Sequence, residues 1–188
     1  FVYDEDGETD GANLRRRITN HEFFAQLGRR VIALLNDVTA DGFVFRVDMR
    51  LRPNGSAGPL AVSSAMLEEY LMSQGREWER YAWIKARPLT GARHDDLEAI
   101  RRSFVFRKYL DFGAINAMRD LHAQIRREVA KKDMANNIKL GPGGIREIEF
   151  IAQVFQLIRG GRDRTLQAKP TLEVLKLLVD RGQLELDA

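Results

Sequence analysis

The sequence contains no cysteine. Disulfides and thiolate metal sites are therefore excluded, and a reducing compartment fits the chain. Histidine is scarce: His21, His94 and His122 lie too far apart to read as a metal site. No apolar run reaches the roughly 20 residues that a membrane-spanning helix needs. The first residues, FVYDEDGETDG, lack the basic region followed by an apolar one that marks a signal peptide. Charge is not one-sided either. Lys and Arg number 30 against 27 Asp and Glu, a formal net charge of +3, so the surface is mixed and not that of a nucleic-acid-binding polycation. No serine sits in a nucleophile-elbow context, and there is no internal repeat or low-complexity segment. Neither nucleic acid nor a membrane is expected as a partner, and the chain reads as soluble and cytoplasmic. The first residue is Phe, not Met, so a piece of a longer protein is expected.

What is present is enough for a core. Of the 188 residues, 44% are hydrophobic, which fits one domain or two small ones. The stretch Phe43 to Pro53, FVFRVDMRLRP, stands out. If it is a strand, Phe43, Phe45, Val47, Met49 and Leu51 share one face, and Val44, Arg46, Asp48, Arg50 and Arg52 share the other. The second face then carries one carboxylate among three guanidiniums. Arginine grips phosphate through two parallel hydrogen bonds, and a lone Asp beside such arginines is a candidate metal ligand. A solvated sheet face with ordinary ion pairs explains the same pattern. The loop PNGSAGP follows directly. A Gly-rich loop after a strand can bring backbone N–H groups near a phosphate, but this one lacks the Lys-Ser/Thr ending of a P-loop.

Elsewhere the pattern is helical. Phe1-Val2-Tyr3 reads as the end of a strand. Thr19 with Glu22 forms a capping box, opening a helix with Phe23, Phe24, Leu27, Val31, Leu34, Leu35 and Val38 on one stripe. Ser63 or Ser64 caps a helix to about Ser73, with Leu67, Tyr70 and Leu71 inward. A helix from Arg76 to about Ala86 carries Trp78, Tyr81, Ala82 and Ile84, and Pro88 stops it. Lys85 and Arg87 at its end are either charges complementing the helix dipole or anion ligands. Thr90-Gly91-Ala92 reads as a boundary. Beyond it, helices are expected over Asp95–Phe106, Ala114–Lys132 with a basic polar face, and a segment after Gly141-Pro142-Gly143-Gly144. That last helix carries Ile145, Ile148, Ile151, Val154, Phe155 and Ile158 as its stripe, with Glu147 and Glu149 in its first turns. Asn137 to Leu140 reads as a short extended piece. A final helix spans about Thr171 to Arg181, with Leu172, Leu175, Leu178 and Val179 inward. Residue patterns alone thus reach a mostly helical α+β protein with one unusual strand.

Three long motifs in order go further: FRVDMRLRP, then GREWERYAWIKARPLTG, then IKLGPGGIREIEFIAQVFQLIRGG. Together they closely resemble the glutamine synthetase adenylyltransferase family, over about Phe1 to Leu178. The resemblance implies a partial nucleotidyltransferase domain of the DNA polymerase β type over residues 1–91 and a helical bundle domain over 92–188. Members of the family attach AMP to glutamine synthetase with one half and remove it with the other. WERYAWIKAR and GGIREIEFIAQVFQLIRGG resemble the N-terminal, adenylyl-removing half. The implied reaction is phosphorolysis: inorganic phosphate attacks the AMP-tyrosine phosphodiester, releasing ADP and free tyrosine. The implied cofactor is Mg²⁺, held by three acidic residues, of which Asp48 matches the third. The other two belong to a Gly-Ser…Asp-x-Asp motif that this sequence lacks, and Asp4 and Asp6 do not replace it. Arg50 and Arg52 are candidates for nucleotide or phosphate contact, as are Lys85 and Arg87. Gly143, Gly144, Arg146 and Glu147 belong to a family motif without an assigned role. Implied partners are glutamine synthetase, a PII signalling protein, nucleotide (ATP or ADP) and phosphate. A non-catalytic docking module for glutamine synthetase or PII, or a PII uridylyltransferase relative, are the alternatives. The isolated chain is expected to be inactive, and the edges of a small sheet would permit dimerisation or strand exchange.

Overall fold

The first long helix begins where the sequence predicts. Thr19 has extended backbone, and its hydroxyl accepts the N–H of Glu22, so α1 runs Asn20–Asn36. The coordinates come from a computed structural model that describes residues 1–12, 16–109, 113, 116, 119–120, 123, 127 and 137–185. Among these residues there are two short strands, six α-helices and two 3₁₀ turns, in two units, Phe1–Gly75 and Arg76–Ala188. A mostly helical α+β fold is what the sequence predicts and what the structure has.

In the first unit, β1 (Val2–Tyr3) pairs in parallel with β2 (Val62–Ser63). β2 leads straight into α2 (Ser64–Ser73), because the Ser63 hydroxyl accepts the Met66 N–H and caps that helix. Tyr3, Ala25 and Ala61 form the small core, with Phe24 stacked on the Tyr3 ring at 5.2 Å. Leu67 and Leu71 are the buried residues of α2.

α1 departs from its expected stripe. Its buried residues are Ala25 and Gly28, whereas Phe23, Leu27 and Leu34 are exposed. Small residues win because β1 and the segment before β2 come close. A Cβ on Gly28 would stand 2.7 Å from the Phe1 ring and 3.2 Å from Leu60.

The second unit is helical: α3 (Glu77–Trp83), α4 (His94–Val105), α5 (Ile145–Arg159), a 3₁₀ turn (Arg164–Gln167) and α6 (Thr171–Asp180). The helix expected over Ala114–Lys132 lies for the most part outside the described residues. One core gathers Ala152, Leu166, Val174 and Leu178, flanked by Phe155, Leu175 and Leu177.

Much of the remaining interior is polar, which the apolar periodicity did not predict. Arg80 and Arg101 are buried on α3 and α4. The Arg80 guanidinium donates to the carbonyls of Val105 (2.7 Å) and Leu157 (3.4 Å), and to Glu77 (3.2 Å). Arg101 donates to the Ile84 carbonyl (3.1 Å) and to Glu98. Both guanidiniums thus bond carbonyls at or near the C-terminal ends of neighbouring helices, where backbone acceptors are orphaned and positive charge is favoured. Gln156 is buried too, its amide donating to the carbonyls of Leu166 and Ala168, both at 2.7 Å. α5 accordingly turns Ala152, Gln153, Gln156 and Leu157 inward. Ile145, Ile148 and Ile151 of the expected stripe are exposed, as is Leu172 of α6.

Candidate functional site

Phe43 to Pro53 does not form a strand. Among the described residues no strand runs beside it, and its donors find other acceptors. The N–H groups of Val44 and Phe45 donate to the Leu35 carbonyl near the end of α1. The Val47 N–H donates to the Asn36 side chain at 3.0 Å. The predicted alternation survives only in part. Val47 and Met49 are half-buried while Arg46, Asp48 and Arg50 are exposed, but Phe43, Phe45 and Leu51 are exposed as well. Strand pairing would hold the segment extended and a second layer would be needed to cover its apolar face; among the described residues no strand pairs with it, and Phe43, Phe45 and Leu51 stay exposed.

The period of two still puts Asp48 and Arg50 on one side. Arg50 Nε lies 3.0 Å from both Asp48 carboxylate oxygens, and Nη2 lies 2.6 Å from Oδ2. The Arg50 backbone N–H also donates to Asp48 Oδ1 at 3.0 Å. The Arg50 guanidinium holds the Asp48 carboxyl down to about 2, and the backbone bond and the charge of Arg46 add to that. Asp48 is therefore an ionised, surface-accessible carboxylate at neutral pH, gripped in the fork geometry that arginine also offers to phosphate.

Arg52 is turned elsewhere. Its guanidinium donates to three backbone carbonyls: Met49 (2.5 Å), Ser56 (3.0 Å) and Gly58 (3.1 Å). The loop after it closes through a 3₁₀ turn, Gly55–Ala57, entered by Asn54 in the left-handed region. A Cβ on Gly58 would fall 1.8 Å from the Pro53 carbonyl oxygen, so only glycine fits that approach. A phosphate cradle converges N–H groups on an anion. Here carbonyls converge on a cation, so the loop is folded around Arg52.

Lys85 and Arg87 belong to the second unit. The Lys85 ammonium donates to the Lys169 carbonyl (2.5 Å) and the Thr171 hydroxyl (2.7 Å), pinning the start of α6. Arg87 is exposed. The structure thus brings Asp48 and Arg50 together, spends Arg52 and Lys85 on main-chain acceptors, and leaves Arg87 at the surface.

The motif at Gly141 to Glu147 acquires a role the sequence did not assign. The Asn137 side chain accepts the N–H groups of Lys139 and Leu140, making a turn where an extended piece was expected. The Ile145 and Arg146 N–H groups donate back to the Ile138 and Lys139 carbonyls, and the Glu147 carboxylate accepts the Gly143 N–H at 2.8 Å. Gly143 is left-handed (φ 71°), and a Cβ on Gly144 would meet the Ile138 carbonyl oxygen at 2.6 Å. The first-turn donors of α5 are satisfied internally, so this is a self-capped helix start. A Glu three residues after the double glycine was the visible signal for it.

Among the described residues no three His, Asp or Glu side chains are grouped so as to hold a metal ion. Asp48 alone would offer a single ligand, and it is already engaged by Arg50. One carboxylate does not complete a divalent-cation site, even where substrate phosphates supply other ligands.

Residues 1–102 match the glutamate-ammonia ligase adenylyltransferase family. The chain belongs to that family. Residues 119–188 match a second family, GlnD PII-uridylyltransferase. The bifunctional glutamine synthetase adenylyltransferase/adenylyl-removing enzyme of Chromobacterium violaceum is 68% identical over 185 residues, covering 98% of this chain and 20% of the relative. That of Aromatoleum aromaticum is 67% identical, covering 97% of this chain and 19% of the relative. That of Ralstonia nicotianae is 57% identical, covering 100% and 22%. The chain therefore spans about a fifth of the length of the curated relatives it matches. Asp48, Arg50 and Arg52 all fall in the stretch matched to the adenylyltransferase family. Among the described residues no helix is long and apolar enough to cross a membrane.

Proposed function

We propose that this chain is part of the adenylyl-removing half of a bifunctional enzyme acting on glutamine synthetase in the cytoplasm. The observation that carries the reading is the likeness, over nearly the whole chain, to relatives named for both adding and removing adenylyl groups. The motifs WERYAWIKAR and GGIREIEFIAQVFQLIRGG favour the removing half. On this reading residues 1–91 are part of a nucleotidyltransferase domain and 92–188 part of a helical one.

In the reaction an oxygen of inorganic phosphate attacks the phosphorus of the AMP-tyrosine phosphodiester. The bond from phosphorus to the tyrosine oxygen breaks, the tyrosine oxygen takes up a proton, and ADP leaves. Asp48 supplies one carboxylate to the site. Mg²⁺, when bound, would neutralise charge on the phosphates. Its other carboxylates would come from outside the described residues. Arg50 exchanges its carboxylate partner for a phosphate of equivalent geometry. Arg52, Lys85 and Arg87 remain candidates for nucleotide or phosphate contact. For Arg52 and Lys85 that requires giving up the carbonyl bonds they make here.

A second reading has a specific observation behind it. The match of residues 119–188 to PII-uridylyltransferases favours a helical region that docks PII or glutamine synthetase without taking part in the chemistry. The test is Asp48→Asn in the longer protein, assayed for phosphate-dependent ADP release from adenylylated glutamine synthetase and for partner binding. We expect release to fall at least about 100-fold with binding unchanged. Unchanged release would make Asp48 structural and leave docking as the better account. The 188-residue chain alone is expected to release no ADP.

A further inference from the structure

A second charged feature lies in the helical unit and does not rest on the function proposed above. A cleft of about 350 Å³ is lined by Lys108, Ile158, Arg159, Arg162, Asp163 and Gln183. Pockets for small molecules run from about 300 to 1,000 Å³, so the space suits a small ligand.

The charges in the cleft do not cancel. Asp163 is the one carboxylate among the described lining residues, and it is already engaged: it accepts from the Thr165 backbone and hydroxyl, and it pairs with Arg181. Bonds from Thr165 and the charge of Arg181 hold its carboxyl below the usual range. The three cations are not neutralised in this way. Arg162 spends Nε on the Lys108 carbonyl at 3.2 Å, which leaves its two terminal nitrogens. The Lys108 ammonium lies 5.8 Å from the Tyr109 ring centre. Arg159 is exposed near the C-terminal end of α5. Gln183 contributes a buried side-chain oxygen with no hydrogen-bond partner among the described residues. A buried acceptor without a partner is destabilising, so the cleft favours a ligand that carries a donor as well as negative charge.

We propose that this cleft binds a small phosphate-bearing molecule, its anionic oxygens taken by Arg159, Arg162 and Lys108 and a hydroxyl donated to Gln183. The chemistry separates it from other anions. A protonated phosphate has both O⁻ acceptors and a P–OH donor, whereas sulfate has acceptors only. Arginine in pairs suits such an oxyanion because its fork offers parallel donors.

The test is calorimetric titration of the full chain with inorganic phosphate and, separately, with sulfate, near pH 6. Phosphate is expected to bind more tightly than sulfate. Arg159→Gln and Arg162→Gln should each weaken phosphate binding about tenfold or more. Gln183→Leu should erase the preference for phosphate over sulfate. The exposed Lys176→Gln on α6 should change nothing. The Arg159 side chain makes no hydrogen bond or ion pair among the described residues, and the carbonyl that accepts from Arg162 and Asp163 is kept in the variant, so Arg159→Gln stays informative if Arg162→Gln unfolds. Three results would overturn the proposal: no binding of phosphate, binding that survives Arg159→Gln, or an equal loss in Lys176→Gln. Binding lost in Arg50→Gln but kept in Arg159→Gln would place the anion in the first unit. That result would count against the cleft while favouring the site around Asp48.

Discussion

Asp48 has a carboxyl drawn down mainly by the Arg50 guanidinium, and that gives it a measurable signature. With Arg50 in place it should titrate at about 2, against the ordinary aspartate value of about 3.9. A depressed carboxylate contributes stability that is present above its unfolded pKa and is lost as pH falls through the folded one. The ion pair should therefore be intact above about pH 4 and lost toward about pH 2. Because both side chains are exposed, its effect on stability should be small. Carboxyl chemical shifts followed by NMR should place the Asp48 midpoint near 2 in the parent chain and higher in Arg50→Gln, where the backbone N–H of residue 50 and the charge of Arg46 still hold it below the ordinary value of about 3.9. A midpoint unmoved by that substitution would mean that Arg50 is not what holds Asp48. At this scale the sequence was informative about one pair. Spacing of two put Asp48 and Arg50 on one side, and they meet. It was silent about Arg52, because nothing in the residue string says that three carbonyls of the following loop will face that guanidinium.

Among elements, helices were legible and faces were not. Thr19 and Ser63 announced α1 and α2 through their capping side chains, and the turn of Gly141-Pro142-Gly143-Gly144 announced the start of α5. The stripes failed where a helix packs through small or polar residues: Ala25 and Gly28 on α1, Gln153 and Gln156 on α5. Periodicity counts apolar residues and has no term for a glycine needed by a close neighbour or a glutamine needed by a loop carbonyl. Phe43 to Pro53 failed for a different reason. A strand is defined by its partners, and without one beside it the same alternating residues stay unpaired. The start of α5 offers a prediction at this scale. Gly144→Ala would push a methyl against the Ile138 and Gly141 carbonyl oxygens, at 2.6 and 2.8 Å. It should cost about 2 kcal/mol. It should also speed amide exchange at Ile145 and Arg146, whose N–H groups donate across that turn. Unchanged exchange there would mean that the turn opens without cost.

Across the helical unit, two buried guanidiniums do what a larger apolar core would otherwise do. Arg80 joins the end of α4 to α5, and Arg101 bonds the carbonyl just past α3. Arg80→Met keeps the volume but strands the Val105 carbonyl and takes from Glu77 its closer arginine partner, leaving Arg107 at 3.5 Å. It should lower stability by about 2–4 kcal/mol in urea unfolding. Arg102→Met removes only an exposed guanidinium from a Glu98 that keeps Arg101 and Lys169, and should stay within about 0.5 kcal/mol. Equal effects would remove the buried network from the account. At the level of the whole protein, the central claim concerns which of two opposed activities uses Asp48. The most direct measurement takes the bifunctional protein proposed above with Asp48→Asn and follows both reactions on glutamine synthetase. The account predicts that phosphate-dependent removal of AMP is lost while addition of AMP proceeds as before. Loss of addition with removal intact would contradict it.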